Sequence, residues 1–300
     1  MILVVGATGF LGGEICRRLA AQGKSVRALV RTTSNPERVA ALKASGVETI
    51  TGDLRQADSL AAACQGISTV ITTASTMISM QPGDSIPVTD HQGQLNLVQA
   101  ARNAGVKQFI YISYSKNIEP GSDQCPLTVA KRSVEQAVME SGMTYTILRP
   151  STFMEVWLSP IVGFDYPNAK VNILGDGHGK ISYISLGDVA QYAVESVDNP
   201  AARNMIFELG GPEMLSQLEA VRIFENIGGK SFELQFVPIA ALQAQRAAAS
   251  DPLQKSFASL MLCVANGDEV DHGPAQNAFA FPLTSVKEYA AQALGQKIPA

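Results

Sequence analysis

Residues 1–12 are Met1-Ile2-Leu3-Val4-Val5-Gly6-Ala7-Thr8-Gly9-Phe10-Leu11-Gly12. The first five form an apolar run typical of a buried strand, and the residues from Phe10 onward place apolar side chains at helical spacing. Between these two elements the glycines have the spacing G-x-x-G-x-x-G. Glycine suits a tight strand-to-helix turn whose backbone must approach a phosphate closely, so the stretch predicts a dinucleotide-binding turn.

Beyond this turn, short β-rich apolar runs alternate with helical patterns through the first half of the chain. Such alternation is typical of βαβ units that build a parallel sheet. The predicted strands are residues 2–5, 25–30, 47–51, 68–73, 108–113 and 144–148, and the predicted helices are residues 10–22, 36–44, 58–63, 92–104 and 128–141. Six parallel strands with helices between them predict the α/β class, with a Rossmann-type doubly wound sheet.

After Arg149-Pro150 the pattern becomes irregular. We therefore predict an NAD(P)-binding Rossmann domain at residues 1–152 and a smaller C-terminal α+β substrate-binding region at residues 153–300, whose elements can return to the Rossmann sheet. In this region the predicted helices are residues 189–197, 216–227, 240–249 and 286–294, and the predicted strands are residues 205–209 and 231–237. Short loops favour close packing of the two regions around a shared cleft.

Composition disfavours several functional classes. With 46% hydrophobic and 17% charged residues among 300, the chain has the profile of a globular protein. A net charge of −4 with scattered Lys and Arg gives no reason to expect a nucleic-acid partner. Its apolar runs are far shorter than the roughly 20 residues of a spanning helix. Four widely separated cysteines indicate neither a disulfide framework nor a metal site. We expect a cytoplasmic monomer or homodimer that acts on a small molecule.

Arg31 directly follows the second predicted strand, at the place where an NAD site would have an acidic residue. A guanidinium can pair with a 2′-phosphate, so the sequence favours NADP(H) over NAD. The turn after the third strand would lie near the adenine, and the turn after the fourth near the pyrophosphate and ribose. The predicted cofactor-binding residues are Gly6, Thr8, Gly9, Phe10, Leu11, Gly12, Arg31, Ser34, Asp53, Leu54, Thr73, Ala74 and Ser75.

With these residues placed, the chain resembles the atypical, extended short-chain dehydrogenase/reductases, and most closely the NmrA-like group that includes isoflavone-reductase-type enzymes. The resemblance covers residues 1 to about 200. Besides the glycine turn, it rests on Gly52-Asp53-Leu54, Asp90, Gly93, Asn96, Ala104-Gly105-Val106-Lys107-Gln108-Phe109, Lys131, the run of residues 141–150, and Gly187-Asp188-Val189-Ala190.

The resemblance implies a catalytic Tyr-x-x-x-Lys pair on the helix after the fifth strand. Lys131 matches the lysine, which would hold the nicotinamide ribose, but Leu127 stands where the tyrosine belongs. Reduction still needs a proton donor within reach. The open end of the fifth strand faces the nicotinamide in this fold, so Tyr114 is a candidate donor, Ser113 could orient a substrate oxygen, and Lys131 could stabilise a developing oxyanion.

Phe153, Met154 and Trp157 follow the sixth strand and are predicted to give the substrate cleft an apolar wall. A packing role is open for these three and for Tyr114. The sequence favours an NADPH-dependent oxidoreductase that transfers hydride to a small aromatic, enone or quinone-like substrate. The missing tyrosine keeps open a non-catalytic NADP(H)-binding sensor, regulatory or assembly protein of the NmrA type. An epimerase or dehydratase with tightly held NAD is disfavoured by Arg31 and Leu127.

Overall fold

The computed structural model describes residues 1–77, 81–118 and 125–296. Its strands, in chain order, are β1 (Ile2–Val5), β2 (Val26–Val30), β3 (Glu48–Thr51), β4 (Thr69–Thr72), β5 (Gln108–Ile112), β6 (Thr144–Pro150), β7 (Phe164–Asp165), β8 (Lys170–Leu174), β9 (Lys180–Ile181), β10 (Met205–Leu209), β11 (Leu215–Ser216) and β12 (Glu233–Val237).

Its α-helices are α1 (Phe10–Ala21), α2 (Pro36–Ala44), α3 (Ala57–Ala63), α4 (Gln94–Asn103), α5 (Pro126–Glu140), α6 (Met154–Trp157), α7 (Leu186–Glu195), α8 (Gln217–Gly228), α9 (Ile239–Ala248), α10 (Pro252–Asn266), α11 (Gly273–Ala278) and α12 (Val286–Ala293). A π-helix over Ile86–Gly93 leads directly into α4, so the regular helix predicted from residue 92 begins two residues later.

The predicted doubly wound parallel sheet is confirmed, with strand order β10-β6-β5-β4-β1-β2-β3. β1 lies in the middle and pairs in parallel with β2 on one side and β4 on the other, so that Val5 is in register with Leu29 and Thr72. In a parallel sheet all strands end at the same edge. The turns after β1, β2 and β4 therefore meet at that edge.

The sheet has a seventh strand, where the sequence predicted six. β10 comes from the irregular second half of the chain and lies beside β6. The Asn204 N–H donates to the Tyr145 carbonyl and the Ser151 N–H donates to the Leu209 carbonyl, so the two strands run in the same direction. Periodicity identified β10 as a strand, but strand order depends on long-range pairing, which periodicity does not encode.

The chain divides into two compact units that interleave along the sequence. Unit 1 comprises Met1–Ser113, Pro126–Arg149 and Val189–Phe207. Its core lies between the sheet and helices α3, α4 and α5, and is built from large buried side chains such as Leu3, Leu60, Leu97 and Phe109. Strand residues of β1, β4 and β5 are buried throughout, as expected for a sheet covered on both faces.

Unit 2 comprises Tyr114–Cys125, Pro150–Asp188 and Glu208–Ala300. It contains a three-stranded sheet of order β12-β8-β7 and a two-stranded sheet of β11 and β9. Its core combines aliphatic side chains with a group of aromatic rings in which Phe164 and Phe224 meet edge to face at 4.8 Å. The sequence analysis missed α10, a fifteen-residue helix that Asp251 caps by accepting a hydrogen bond from the Gln254 N–H.

Candidate functional site

Two glycines shape the turn between β1 and α1. Gly6 has φ +85°, and an added Cβ there would lie 2.6 Å from Thr73 Oγ1 and 2.8 Å from the Ala74 nitrogen. A Cβ on Gly12 would overlap the Gly6 carbonyl. No acidic side chain lies in the first turn of α1 to offset the positive end of the helix dipole. The turn therefore provides a close backbone cradle with positive potential, as an anion requires.

The segment after β4 lies against this turn. Thr73, Ala74 and Ser75 are half-buried, and the Thr73 N–H donates to the Val5 carbonyl at 2.9 Å. The Gln94 side chain of α4 donates to the Ala74 carbonyl at 3.0 Å and fixes the segment from the other side. The structure thus brings the predicted cofactor residues of the glycine turn together with those of the segment Thr73 to Ser75.

Phe10 and Thr8 are linked to α2 by an arginine that the sequence analysis did not single out. The Phe10 ring is 66% exposed, and the Arg38 guanidinium lies 4.6 Å from its centroid. Arg38 also donates to the Thr8 carbonyl at 2.7 Å. Leu11 is half-buried. Arg38 lies in the first turn of α2, so its place in the predicted strand-turn-helix pattern is the signal that could have found it.

Arg31 lies at the end of β2 and is half-buried. Its backbone N–H donates to Ser34 Oγ at 2.9 Å, so these two predicted residues are neighbours. The Arg31 guanidinium forms an ion pair with Asp84, whose side chain is only 3% exposed, at 2.7 Å. No local sequence feature pointed to Asp84, because it lies 53 residues further along the chain.

Asp53 and Leu54 follow β3. Arg55 binds the Asp53 carboxylate through Nε at 2.9 Å and Nη2 at 2.6 Å, and these hydrogen bonds lower the pKa of Asp53. The Leu54 side chain is buried in the core of unit 1. A Cβ on Gly93, in the π-helix, would lie 2.9 Å from the Leu54 Cβ, so that helix packs closely on this turn.

Lys131 is buried on α5, and its Nζ donates to the Ile112 carbonyl at the end of β5, 3.0 Å away. Burial lowers the pKa of Lys131, an effect that the charges of Asp90 and Glu135 oppose. Asp90 is itself buried and accepts hydrogen bonds from the Thr76 N–H and hydroxyl. Leu127, one turn earlier on α5, is buried as well.

Ser113 belongs to a buried ionic cluster that sequence reasoning missed. Arg132 donates both to Ser113 Oγ at 3.2 Å and to Glu135 at 2.6 Å, and Arg149 binds Glu135 through Nε at 3.0 Å and Nη2 at 2.5 Å. Burial by itself would raise the pKa of Glu135, but hydrogen bonds from Arg149 and Ser113 and the charge of Arg132 outweigh it and lower that pKa. Glu135 follows Lys131 at helical spacing, which was a usable signal.

Tyr114, Ser115 and Asn117 belong to unit 2. The Tyr114 hydroxyl lies 4.0 Å from Cys125 Sγ. The next residue, Ser115, donates to the buried carboxylate of Asp268 at 2.6 Å, and that carboxylate also accepts from Asn117 and Thr152. One buried carboxylate therefore ties the segments after β5 and β6 together. The sequence analysis missed it, because Ser115 and Asp268 are 153 positions apart.

The three predicted substrate residues lie around α6 in unit 2. Phe153 and Trp157 are half-buried, and Trp157 stacks on Phe257 with ring centroids 6.4 Å apart. Met154 is fully buried in the core of unit 2. Trp157 also borders a small cavity inside this unit, together with Leu158, Phe164, Leu174, Tyr183 and Val264. Burial and the charge of Asp268 raise the pKa of Tyr183.

Within residues 1–77, 81–118 and 125–296, no group of three or more His, Cys, Asp or Glu side chains is placed to hold a metal ion. Over the same ranges, the helices are too short or too polar to cross a bilayer.

Two characterised relatives indicate the range of functions around this chain. The NAD(P)H azoreductase of Xenophilus azovorans is 31% identical over 265 residues, which cover 87% of this chain and 85% of that protein. A photosystem II assembly factor of Trieres chinensis is 29% identical over 246 residues, or 81% of this chain and 73% of that protein. An oxidoreductase and an assembly factor are thus both similar to this chain.

The fold also matches that of the Citrobacter sp. triphenylmethane reductase, which was crystallised with NADP(H). Its TM-score is 0.77 and its identity 24%, with 98% of this chain and all of that chain covered. At this identity the likeness concerns the fold. The family model for the NmrA-like family matches residues 1–290. This chain therefore belongs to the NmrA-like family, as the resemblance of its motifs predicted.

Proposed function

We propose that the chain is an NADPH-dependent reductase whose hydride acceptor is a small apolar molecule of aromatic, enone or quinone-like character. The observation that carries the proposal is the cradle at the end of β1, in which there is no room for a Cβ at Gly6 or Gly12. Such close backbone approach suits the pyrophosphate of a dinucleotide.

The described residues fit this cofactor at the edge where β1, β2 and β4 end. Unit 1 would bind it through the glycine turn, the segment Thr73 to Ser75, Asp53, Leu54 and the pair of Arg31 and Ser34. Lys131 would face the nicotinamide ribose. The bound cofactor would supply the hydride. No acidic residue follows β2 directly to bind a ribose 2′-hydroxyl, which supports the phosphorylated cofactor.

Three side chains would carry the proton and charge chemistry. Lys131 would donate a hydrogen bond from Nζ to negative charge that develops on the acceptor, and its lowered pKa strengthens it as a donor. Ser113 would orient an acceptor oxygen by turning its single hydroxyl hydrogen from Glu135 to that oxygen, while Arg132 continues to donate to its Oγ. Tyr114 would provide the proton that the missing tyrosine of the Tyr-x-x-x-Lys pair supplies in other members of the superfamily.

The residues that we propose for acceptor binding, Phe153, Met154 and Trp157, belong to unit 2. Phe153 and Trp157 are half-buried and can present ring faces, while fully buried Met154 supports α6 from the core. The names of the azoreductase and the triphenylmethane reductase specify an azo and a triphenylmethane acceptor, and the second of these is aromatic, which supports an aromatic acceptor here. Aromatic rings stack on such molecules in offset or edge-to-face arrangements.

A second candidate function is a non-catalytic NADP(H) sensor or assembly protein. Leu127 in place of the tyrosine and the likeness to a photosystem II assembly factor favour it. A sensor must bind the oxidised and reduced cofactors with different affinities, because a ligand that binds two states equally shifts neither. Equal affinity for both forms together with steady turnover would exclude this function.

The test is to measure NADPH and NADH binding by fluorescence, and then NADPH oxidation with a panel of quinones, enones and azo dyes. Lys131→Met keeps the volume of the buried side chain and removes its charge. We expect this variant to retain its fold and to lose turnover by about 100-fold or more, the usual range for loss of a charge-stabilising group.

The matched control is Lys107→Met, which removes an exposed lysine of unit 1 and should leave turnover unchanged. NADPH binding without oxidation of any acceptor would count against the reductase and favour the sensor. Absence of binding by the wild-type chain would contradict both functions.

A further inference from the structure

Arg31 does not present an uncompensated positive charge at the end of β2. Its Nη1 donates to Asp84 Oδ2 at 2.7 Å, and the Asp84 side chain is 3% exposed. Asp84 is held independently of Arg31, because its carboxylate also accepts from Thr89 Oγ1 at 3.2 Å and from the Gln81 N–H at 3.4 Å. The carboxylate is therefore a fixed part of this site.

The same carboxylate lies beside a second ion pair. Asp84 Oδ1 is 3.7 Å from Arg55 Nη1, and Arg55 is bound through two nitrogens by Asp53. These four side chains carry two positive and two negative charges, which cancel. A 2′-phosphate that approaches Arg31 would thus also approach a buried carboxylate, whose charge water screens less than that of an exposed group.

We propose that Asp84 is a specificity-determining residue that weakens the preference of the site for NADPH over NADH. It occupies the guanidinium that a 2′-phosphate would bind, and it places a negative charge next to that phosphate. The inference rests on the proposed function, because it requires a nicotinamide dinucleotide at the glycine turn. The two cofactors differ only in the 2′-phosphate, so their affinity ratio isolates the interaction.

The test compares equilibrium dissociation constants of NADPH and NADH for the wild-type chain and for Asp84→Asn. Asparagine is nearly isosteric. Its oxygen can accept from the Gln81 N–H while its amide group donates to Thr89 Oγ1, so the loop should keep its position. We expect NADPH to bind about three- to thirtyfold more tightly, as removal of one like charge near a phosphate predicts at intermediate dielectric. NADH should change by less than about twofold.

Asp84→Ser is a second neutral variant, and its affinity ratio should shift in the same direction. Asp58→Asn is the control, since Asp58 is an exposed carboxylate of α3 and its loss should leave the ratio unchanged. In an Arg31→Ala background, Asp84→Asn should change the ratio by less than it does in the wild-type background, because the competition for the guanidinium is gone and only the repulsion between carboxylate and phosphate remains.

The possible outcomes distinguish failure of the role of Asp84 from failure of the proposed function. The role of Asp84 is overturned if both cofactors bind and the ratio of NADPH to NADH affinity is unchanged in Asp84→Asn and Asp84→Ser, or moves toward NADH. The proposed function would then still stand. Failure of the wild-type chain and both variants to bind either cofactor overturns the two together.

Discussion

Units 1 and 2 position their candidate functional residues in different ways. In unit 1 the glycine turn, Arg31 and Thr73 all follow strands of one parallel sheet, so backbone pairing places them at one edge. In unit 2 the segments that carry Tyr114 and Phe153 are tied down by the side chain of Asp268, at sequence separations of 153 and 116 residues. The candidate residues are therefore positioned by regular secondary structure in unit 1 and by a single buried carboxylate in unit 2.

The difference predicts which substitutions each unit tolerates. The position of a site placed by backbone pairing should be disturbed mainly by changes that alter the backbone path. A site placed by one buried polar side chain should be disturbed by substitution of that side chain, because the buried groups that donate to it cannot form hydrogen bonds with water instead.

The largest effect is expected for Asp268→Ala. The substitution would leave the buried donors of Ser115, Thr152 and the half-buried Asn117 without their acceptor. Each buried donor that loses its partner costs roughly 1–3 kcal/mol, so we expect the free energy of unfolding to fall by about 3 kcal/mol or more. Urea unfolding monitored by circular dichroism measures this change.

Glu269→Ala is the matched control, because Glu269 is exposed and its backbone, which accepts from Asn117, is unchanged. Its effect should stay within about 0.5 kcal/mol. If Asp268→Ala lowers the free energy of unfolding by less than about 1 kcal/mol, other contacts must hold these segments. The proposed difference between the two units would then be wrong.

The same contrast explains which parts of the fold and of the candidate site could be predicted from the sequence. The glycine turn, the first six strands of the sheet and the position of Lys131 follow from short patterns, because βαβ units repeat a local rule. Asp84, Arg132, Glu135 and Asp268 are linked to the predicted residues through side-chain contacts. For Asp84 and Asp268 those contacts span distant sequence positions, which periodicity cannot report.

Secondary structure shows the same limit. α10 was missed because its residues from Phe257 to Ala265 are nearly all apolar, small or buried, so the alternation of exposed and buried positions that marks a surface helix is weak. The π-helix before α4 was missed because its widened turn breaks the regular helical spacing. Both elements depend on what surrounds them.

Gly12→Ala tests whether the site of unit 1 depends on backbone path. The new methyl group would overlap the Gly6 carbonyl, so α1 or the turn must move. A backbone hydrogen bond to a charged group contributes about 1.5–3 kcal/mol, so the loss of one such bond to the pyrophosphate predicts a loss of NADPH affinity of about 100-fold. Fluorescence titration measures the affinity, and circular dichroism checks the fold.

Gly13→Ala is its control, because a Cβ there would lie 3.3 Å from the Ala7 carbonyl, where a shift of a few tenths of an ångström suffices. Its affinity should change by less than about threefold. Equal losses in the two variants would mean that α1 is generally sensitive, and that the close approach of Gly12 to Gly6 has no special part in binding.

The smallest effect concerns the ionic cluster around Glu135, the feature of unit 1 that most resembles unit 2. Its pKa is lowered in the folded chain, so its stabilising contribution is complete above the ordinary value of 4.5 and is lost as the pH falls through the folded value. At pH 7, Glu135→Gln should lower the free energy of unfolding by about 1.5 kcal/mol, through weaker hydrogen bonds to Arg149 and Arg132.

The same variant should approach wild-type stability as the pH falls through the lowered pKa of Glu135 in the folded chain, because below that value Glu135 is neutral in both the folded and the unfolded chain. Urea unfolding at pH 7 and at successive acidic pH values measures the difference. Glu140→Gln, exposed on the same helix, should show almost none at any pH. A difference that stays constant with pH would mean that Glu135 acts by packing alone, and that the candidate site of unit 1 owes nothing to a buried charge at this position.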